Sequence, residues 1–140
     1  MTPATGRDAA ELQELFERFA SLSSRAIDAC DAGDDVALAS VLDARDIVAS
    51  RASELTRAFA LARRTATSRS ALDTLDLALR PVRLAAATAE RANGALMTRA
   101  RAVRTTLGEQ LDRLRHDESA RSAYTDAATP GERTFLDVTR

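Results

Sequence analysis

The chain has 140 residues, a length that suits a single domain able to bury its own hydrophobic core. Its 20 basic and 21 acidic side chains nearly cancel, so its net charge gives no general attraction to nucleic acid or to anionic lipid. A single cysteine, Cys30, excludes an intrachain disulfide, and the absence of a membrane-length apolar run or a signal-peptide pattern predicts a cytoplasmic protein without membrane insertion.

A first helix is predicted over about residues 7–32, because apolar residues recur there at three- and four-residue steps. The stripe consists of Leu12, Leu15, Phe19, Leu22, Ala26 and Cys30. The segment that follows holds Gly33, which favours helix termination, and aspartates that are typical N-caps. We therefore expect a tight turn between the first helix and the second.

The second helix is predicted over about residues 35–64, where eight positions repeat at alternating steps of three and four. Those positions are Leu38, Val41, Arg45, Val48, Ala52, Leu55, Phe59 and Ala62. Arg45 is the only polar member of this stripe. It could lie at the edge of the core with its aliphatic stem packed and its charge in water, or it could be paired inside the bundle.

The third helix is predicted over about residues 69–118, after a connection in which Ser68 or Ser70 could act as the N-cap. Its apolar stripe starts at Leu72 and continues through Leu114. Pro81 lies inside this stripe, and a proline removes one backbone hydrogen bond from a helix. Because the heptad phase is the same on both sides of Pro81, one continuous helix with a kink is favoured over two separate helices.

The chain therefore reads as an all-α protein, namely an antiparallel up-down-up three-helix bundle that occupies residues 1–122. Beyond His116 the apolar pattern fails, and Pro130-Gly131 indicates a turn before a short apolar group at Phe135 and Leu136. Residues 123–140 are expected to form a mobile tail.

The third helix is predicted to be longer than its neighbours, at roughly 75 Å against about 40 and 45 Å for the other two. Antiparallel packing through the second turn would place Asp35 level with about residue 98, beside a group of arginines that includes Arg99. The remaining part of the stripe would then have nothing to cover it, so it needs a partner. Another copy of the chain, its own tail or a client helix could fill that role. The uncovered positions are Val103, Leu107, Leu111 and Leu114.

Two residues of the third helix depart from the apolar pattern. Asn93 is a polar interruption of the kind that fixes the register of a helix pair. Gly94 is unfavourable inside a helix by roughly 1 kcal/mol, which indicates that another group approaches the backbone closely at that position.

Residues that carry out catalysis or hold cofactors are scarce. One histidine, His116, and one cysteine cannot form a zinc site of the usual type within a single chain. All five glycines are isolated, so there is no phosphate-binding loop. Six arginines occur between residues 80 and 104, but they do not share a helical face and no aromatic residue lies among them. We expect neither enzymatic activity nor a metal, a cofactor or nucleic-acid binding.

Several segments, in this order, resemble the FlgN and FliT families of flagellar export chaperones. The turn at Ala32-Gly-Asp-Asp35 leads into a leucine-rich helix that reads GDDVALASVLDARDIVASRASEL. Ala92-Asn-Gly-Ala-Leu-Met97 is similar to an Asn-Gly pattern in FlgN, and Tyr124 before a glycine-containing tail is similar to the FlgN ending. The closing Phe135-Leu-Asp137 resembles the ending of some FliT-like chains instead. Arg45 departs from the pattern, since many FlgN chains carry an acid there.

The resemblance implies a cytoplasmic chaperone that binds the C-terminal helical region of a flagellar axial protein and delivers it to the type III export gate. The client would be a hook-filament junction protein for a FlgN-like chain and the filament cap for a FliT-like chain. By the same resemblance, Tyr124 would contact the export gate, and the region around Leu107, Leu111 and Leu114 would bind the client. Two other functions stay open, a structural homodimer that buries the stripe against itself and a regulator that sequesters a partner protein.

Overall fold

Three helices make up the part of the chain that the computed structural model describes, which is the backbone of residues 3–138 and the side chains of residues 5–127. Helix α1 is Pro3–Ala32, α2 is Asp35–Thr65 and α3 is Arg69–Val138. No strand occurs within residues 3–138, so the all-α prediction is confirmed for them. Helix α1 begins earlier than the predicted start near residue 7, while α2 and α3 begin where the sequence indicates.

The end of α1 is fixed by Gly33, whose φ of +65° lies in the left-handed region that glycine adopts without strain. The N–H of Gly33 donates to the carbonyl oxygen of Cys30 at 3.2 Å, and the N–H of Asp34 donates to that of Ala29 at 3.0 Å. These two hydrogen bonds form a Schellman motif, which satisfies carbonyl groups that the helix end would otherwise leave unpaired.

Both following helices begin at side-chain caps. A carboxylate oxygen of Asp34 accepts a hydrogen bond from the N–H of Ala37 at 2.9 Å. The Oγ of Ser68 accepts one from the N–H of Ala71 at 3.1 Å. In each case the capping side chain accepts a hydrogen bond from a backbone N–H that has no acceptor within its own helix. Both caps were predicted, the first from the aspartates after Gly33 and the second from the serines before α3.

Helix α3 ends much later than predicted. The sequence pattern placed its end near residue 118 and a turn at Pro130-Gly131, whereas the helix includes both residues and continues to Val138. The prediction treated the loss of apolar periodicity as the end of the helix, but periodicity reports burial of one face rather than helix formation. Residues 117–128 contain four alanines and one arginine, which have high helix propensity. The mobility predicted for residues 123–140 stays a prediction.

Helix α3 passes through Pro81 without interruption. The unchanged heptad phase on either side of Pro81 predicted one continuous helix, and this continuity is confirmed. The predicted kink at Pro81 stays a prediction.

The chain divides into two compact units, residues 1–100 and residues 101–140. The first unit contains a core to which all three helices contribute. The predicted stripes account for most of its fully buried apolar side chains. These are Leu12, Leu22 and Ala26 from α1, Val41, Val48, Ala52, Leu55 and Phe59 from α2, and Val82, Ala89 and Leu96 from α3.

Contacts between α1 and α2 and between α2 and α3 fit antiparallel packing. In the contacting pairs, a higher residue number on one helix goes with a lower residue number on the next. The cross-helix pairs are Glu11 with Arg51 and Ser23 with Arg45 for α1 and α2, and Asn93 with Arg45 and Asp76 with Arg63 for α2 and α3.

One charge contact predicted from the sequence is present between α1 and α3. The Nε of Arg99 donates to a carboxylate oxygen of Asp31, and the two form an ion pair. Their side chains are 47% and 49% exposed, so the pair stabilises the fold by only about 0.2–1 kcal/mol. The contact agrees with the predicted position of Arg99 beside the aspartates of the first turn.

Candidate protein-binding surface

The most prominent candidate for a binding surface is a row of leucines on α3. Leu107, Leu111 and Leu114 are 53%, 53% and 63% exposed, and Val103 is half-buried at the start of the row. Steps of four and three residues place the leucines on one side of the helix. We call these four residues the leucine stripe. Its predicted exposure is confirmed for the three leucines, and its role in binding stays a prediction.

Charged residues flank the leucine stripe in a definite pattern. Arg104 and Arg115 are eleven residues apart, which is about three helical turns, so they lie on the same border of the stripe. Glu118 follows Leu114 by four residues and continues the line of the stripe. Within the described side chains, none of these three charged groups forms an ion pair. Their charges are therefore available to a partner.

Gly108 lies between Arg104 and Arg115 on the same border of the leucine stripe. A Cβ added at Gly108 would meet no atom within 4 Å. The helix surface at this position is therefore open to solvent.

The other residues predicted to bind partners lie elsewhere. Tyr124 is 80% exposed, but it follows Leu114 by ten residues, which is about 2.8 turns, so it does not lie in line with the leucine stripe. The side chains of Phe135 and Leu136 are outside the described residues. The structure thus brings together the four residues of the stripe and leaves Tyr124 as a separate exposed group.

A polar cluster inside the first unit resolves the two alternatives for Arg45. The Nε of Arg45 donates to the Oγ of Ser23 at 3.1 Å, and its Nη2 donates to the Oδ1 of Asn93. Its guanidinium carbon lies 4.4 Å from the centre of the Phe19 ring, which is a cation–π contact. Arg45 is half-buried and is paired inside the bundle rather than held at its edge with the charge in water.

This cluster takes one hydrogen-bonding side chain from each helix. Ser23 is fully buried, and its Oγ also donates to the carbonyl oxygen of Phe19 at 2.9 Å. Because Arg45 reaches Ser23 on one side and Asn93 on the other, sliding any helix along its axis would break at least one of these bonds. The predicted role of Asn93 in setting the register is therefore supported by its contacts. Ser23 and Phe19 were not predicted as partners, although a lone arginine in an apolar heptad indicated that some partner was needed.

The close approach predicted at Gly94 does not occur within the chain. A Cβ added at Gly94 would meet no atom within 4 Å. The glycine is therefore not required by packing between the helices, and an exposed helix position tolerates glycine at a modest cost in stability. A close approach by a group of another molecule stays a prediction.

A groove of about 390 Å³ opens beside the polar cluster in the first unit. Phe16 and Phe19 of α1 and Asn93 of α3 are part of its lining. Facing alanines form much of the rest, namely Ala49 and Ala52 of α2 and Ala86 and Ala89 of α3. Its volume falls in the range of small-molecule pockets. The sequence did not predict the groove, because it depends on how the three helices pack.

The clearest electrostatic perturbation lies away from these features, between α1 and α2. The Nε of Arg51 donates to a carboxylate oxygen of Glu11 at 2.7 Å, and its Nη1 donates to Glu54 at 3.1 Å. The hydrogen bond from Arg51 lowers the pKa of the Glu11 carboxyl group below its ordinary value. The hydrogen bonds to the two carboxylates raise the pKa of Arg51. This pair contributes to the packing of the two helices and has no visible link to binding.

Within the described residues, no group of three histidine, cysteine, aspartate or glutamate side chains is placed to hold a metal ion. Nor is any helix in this described part of the chain both long enough and apolar enough to cross a membrane. Comparison with known proteins gives no matching family model, curated protein or solved structure. The resemblance to flagellar export chaperones therefore rests on the sequence motifs alone.

Proposed function

We propose that this protein is a cytoplasmic export chaperone of the bacterial flagellar type III system, of the FlgN or FliT type, and that it is not an enzyme. In this proposal it binds a helical segment of a hook-filament junction protein or of the filament cap and delivers it to the export gate. The observation that carries the proposal is the exposed leucine stripe on α3. The order of the sequence motifs supports a flagellar client.

The proposal includes an antiparallel up-down-up arrangement of the three helices, with a kink of α3 at Pro81. The cross-helix pairs support the arrangement, since they match rising residue numbers on one helix with falling numbers on the next. Tyr124 is proposed to contact the export gate. Its 80% exposure and its position out of line with the stripe would let it do so while a client is bound.

The leucine stripe suits a client that must later be released. Complete burial of an exposed leucine contributes about 1.5–3 kcal/mol, and Leu107, Leu111 and Leu114 are each already about half-covered. The three together would contribute on the order of 3 kcal/mol to binding. Association also loses translational and rotational freedom, so contacts beyond the stripe must add to the affinity. A moderate, reversible interaction follows, and export requires the client to be released.

The test uses the double variant Leu107→Asp with Leu111→Asp. It should retain the circular dichroism spectrum of the folded helices and lose binding to purified hook-filament junction and filament cap proteins, measured by isothermal titration calorimetry. The matched control is Leu77→Asp with Leu84→Asp, which changes two leucines of α3 that are each 70% exposed but lie outside the stripe. The control and Tyr124→Ala should bind the client as the unchanged chain does. Unfolding of the stripe variant, or binding that survives in it, would contradict the proposal.

A further inference from the structure

The groove of about 390 Å³ in the first unit is elongated along two of the helices that line it. Its lining lies within residues 49–57 of α2 and residues 86–93 of α3, which correspond to about 12 and 10 Å of helix. Phe16 and Phe19 of α1 also line it, and both are half-buried, so part of each side chain stays accessible. This length and this apolar lining suit a hydrocarbon chain that lies parallel to the helices.

One end of the groove lies beside a cation that has no opposite charge to pair with. Phe19 and Asn93 line the groove, and both contact the guanidinium of Arg45. Arg45 is half-buried and forms no ion pair with a carboxylate among the described side chains. A charge that is partly withdrawn from water is stabilised by an opposite charge nearby. This end of the groove therefore favours the negatively charged group of a ligand.

Hydrogen-bond donors are available at the same end. The Oδ1 of Asn93 accepts a hydrogen bond from Arg45, whereas its Nδ2 donates to no group among the described residues. Arg45 donates from Nε to Ser23 and from Nη2 to Asn93, so its Nη1 has no acceptor in the described part of the chain. Carboxylate oxygens accept charge-assisted hydrogen bonds from such donors.

The two charged residues that line the groove have opposite signs. Arg57 and Glu90 are exposed, and neither forms an ion pair with a described side chain. Glu90 precedes Asn93 by three residues, which is about one helical turn, so it lies near the same end and opposes an anion there. Together with Arg45 beside it, the groove has two arginines against one glutamate. The balance favours an anionic ligand, and Glu90 is the residue that distinguishes an anion from a cation.

We propose that this groove binds the anion of a medium-chain fatty acid. The hydrocarbon chain lies against Phe16, Phe19 and the facing alanines, and the carboxylate accepts hydrogen bonds from Asn93 and Arg45. Binding supplies the negative charge that the half-buried guanidinium lacks. The site belongs to the first unit, so it depends neither on the leucine stripe nor on a flagellar client.

The test is isothermal titration calorimetry of the full chain with decanoate, compared with the decyltrimethylammonium cation. Decanoate should bind at one site with a Kd on the order of 0.1 mM, as expected for a flexible ligand of this size. The cation should bind at least about tenfold more weakly, because it has a similar hydrocarbon chain but repels Arg45. Absence of saturable decanoate binding up to about 5 mM, or equal binding of both ligands, would overturn the inference.

A pair of alanine variants assigns the binding to the groove. Ala86→Leu should abolish decanoate binding, because the larger side chain fills the space between the helices. The matched control is Ala87→Leu, which changes an exposed neighbour outside the lining and should leave the Kd unchanged. Circular dichroism verifies that both variants stay helical. Decanoate binding that survives in a folded Ala86→Leu variant would show that the ligand lies elsewhere.

Three charge and hydrogen-bond variants test where the carboxylate lies. Arg45→Met and Asn93→Ala should each weaken decanoate binding by about tenfold. Because both residues also connect the helices, Glu90→Gln supplies a test at an exposed position where folding is not at stake. It should tighten decanoate binding by about twofold to fivefold, since it removes a nearby negative charge. An affinity that stays the same or falls in Glu90→Gln would overturn the inference.

Discussion

The hydrogen bond between Arg45 and Asn93 is expected to couple α2 to α3 more strongly than any exposed ion pair of the bundle. The perturbation is a double-mutant cycle of Arg45→Met, Asn93→Ala and the two together. Methionine keeps an unbranched side chain of similar length to pack against Phe19 and removes the donors. Alanine removes the acceptor without adding volume.

The expected coupling follows from the environment of the bond. A hydrogen bond from a charged donor contributes about 1.5–3 kcal/mol, and both side chains are half-buried, so the lower part of that range applies. We expect a coupling energy of about 1.5 kcal/mol in the free energy of unfolding, measured by urea denaturation. The matched control is the cycle of Arg99→Met and Asp31→Ala, whose exposed ion pair should couple by only about 0.2–1 kcal/mol.

Salt distinguishes the two cycles further. Added sodium chloride should reduce the coupling of Arg99 with Asp31, because both charges are exposed and screened. The coupling of Arg45 with Asn93 should change little, since the acceptor is neutral and the contact is partly shielded. A coupling below about 0.5 kcal/mol for Arg45 and Asn93 would refute the reasoning, since it would equal that of an ordinary surface pair. If Arg45→Met does not fold, Arg45→Lys keeps the charge while replacing the two donor nitrogens that reach Ser23 and Asn93 by a single one.

Two further predictions concern single residues. Gly94→Ala should raise the free energy of unfolding by about 0.5–1 kcal/mol and the Tm by about 2–5 °C, because its Cβ meets no neighbour, whereas a fall in Tm would reveal a contact at that face. Gly108→Ala, the matched change in residues 101–140, should raise helicity with little effect on the main unfolding transition. The pKa of Glu11 is lowered by the hydrogen bond from Arg51, so the pair stabilises the fold above the ordinary pKa of 4.5 and stops doing so as pH falls through the folded value. The stability difference between the unchanged chain and Glu11→Gln should therefore shrink on acidification, and a difference that is constant from pH 7 to about pH 2 would contradict this account.

The boundaries between helices could be predicted because they depend on local chemistry. Gly33 is suited to the left-handed conformation that ends α1, and the carboxylate of Asp34 and the hydroxyl of Ser68 pair N–H groups three residues later. These interactions involve residues a few positions apart, so a linear pattern contains them. The buried stripes were predictable for a related reason, since a three-four repeat defines which face of a helix is apolar.

The features that could not be predicted depend on contacts between distant residues or on the absence of contacts. The sequence left two possibilities for Arg45, and only the packing of Ser23 and Asn93 around it decides between them. The groove beside Phe16 and Phe19 likewise exists only when three helices come together. At Gly94 a low helix propensity was interpreted as crowding, although an open surface is equally compatible with glycine.

The long exposed part of α3 connects helix formation to recognition. From residue 104 to residue 127 every side chain is exposed, so no buried face holds this stretch in its helical form. Most helical stability in proteins comes from packing of an apolar face, and isolated helices are marginal in water. Whatever covers Leu107, Leu111 and Leu114 would supply that packing. Helix formation in residues 104–127 and binding of a partner are then coupled in one equilibrium. Substitutions that raise helix propensity on the side of this stretch away from the leucines would therefore increase the affinity for the partner without contacting it.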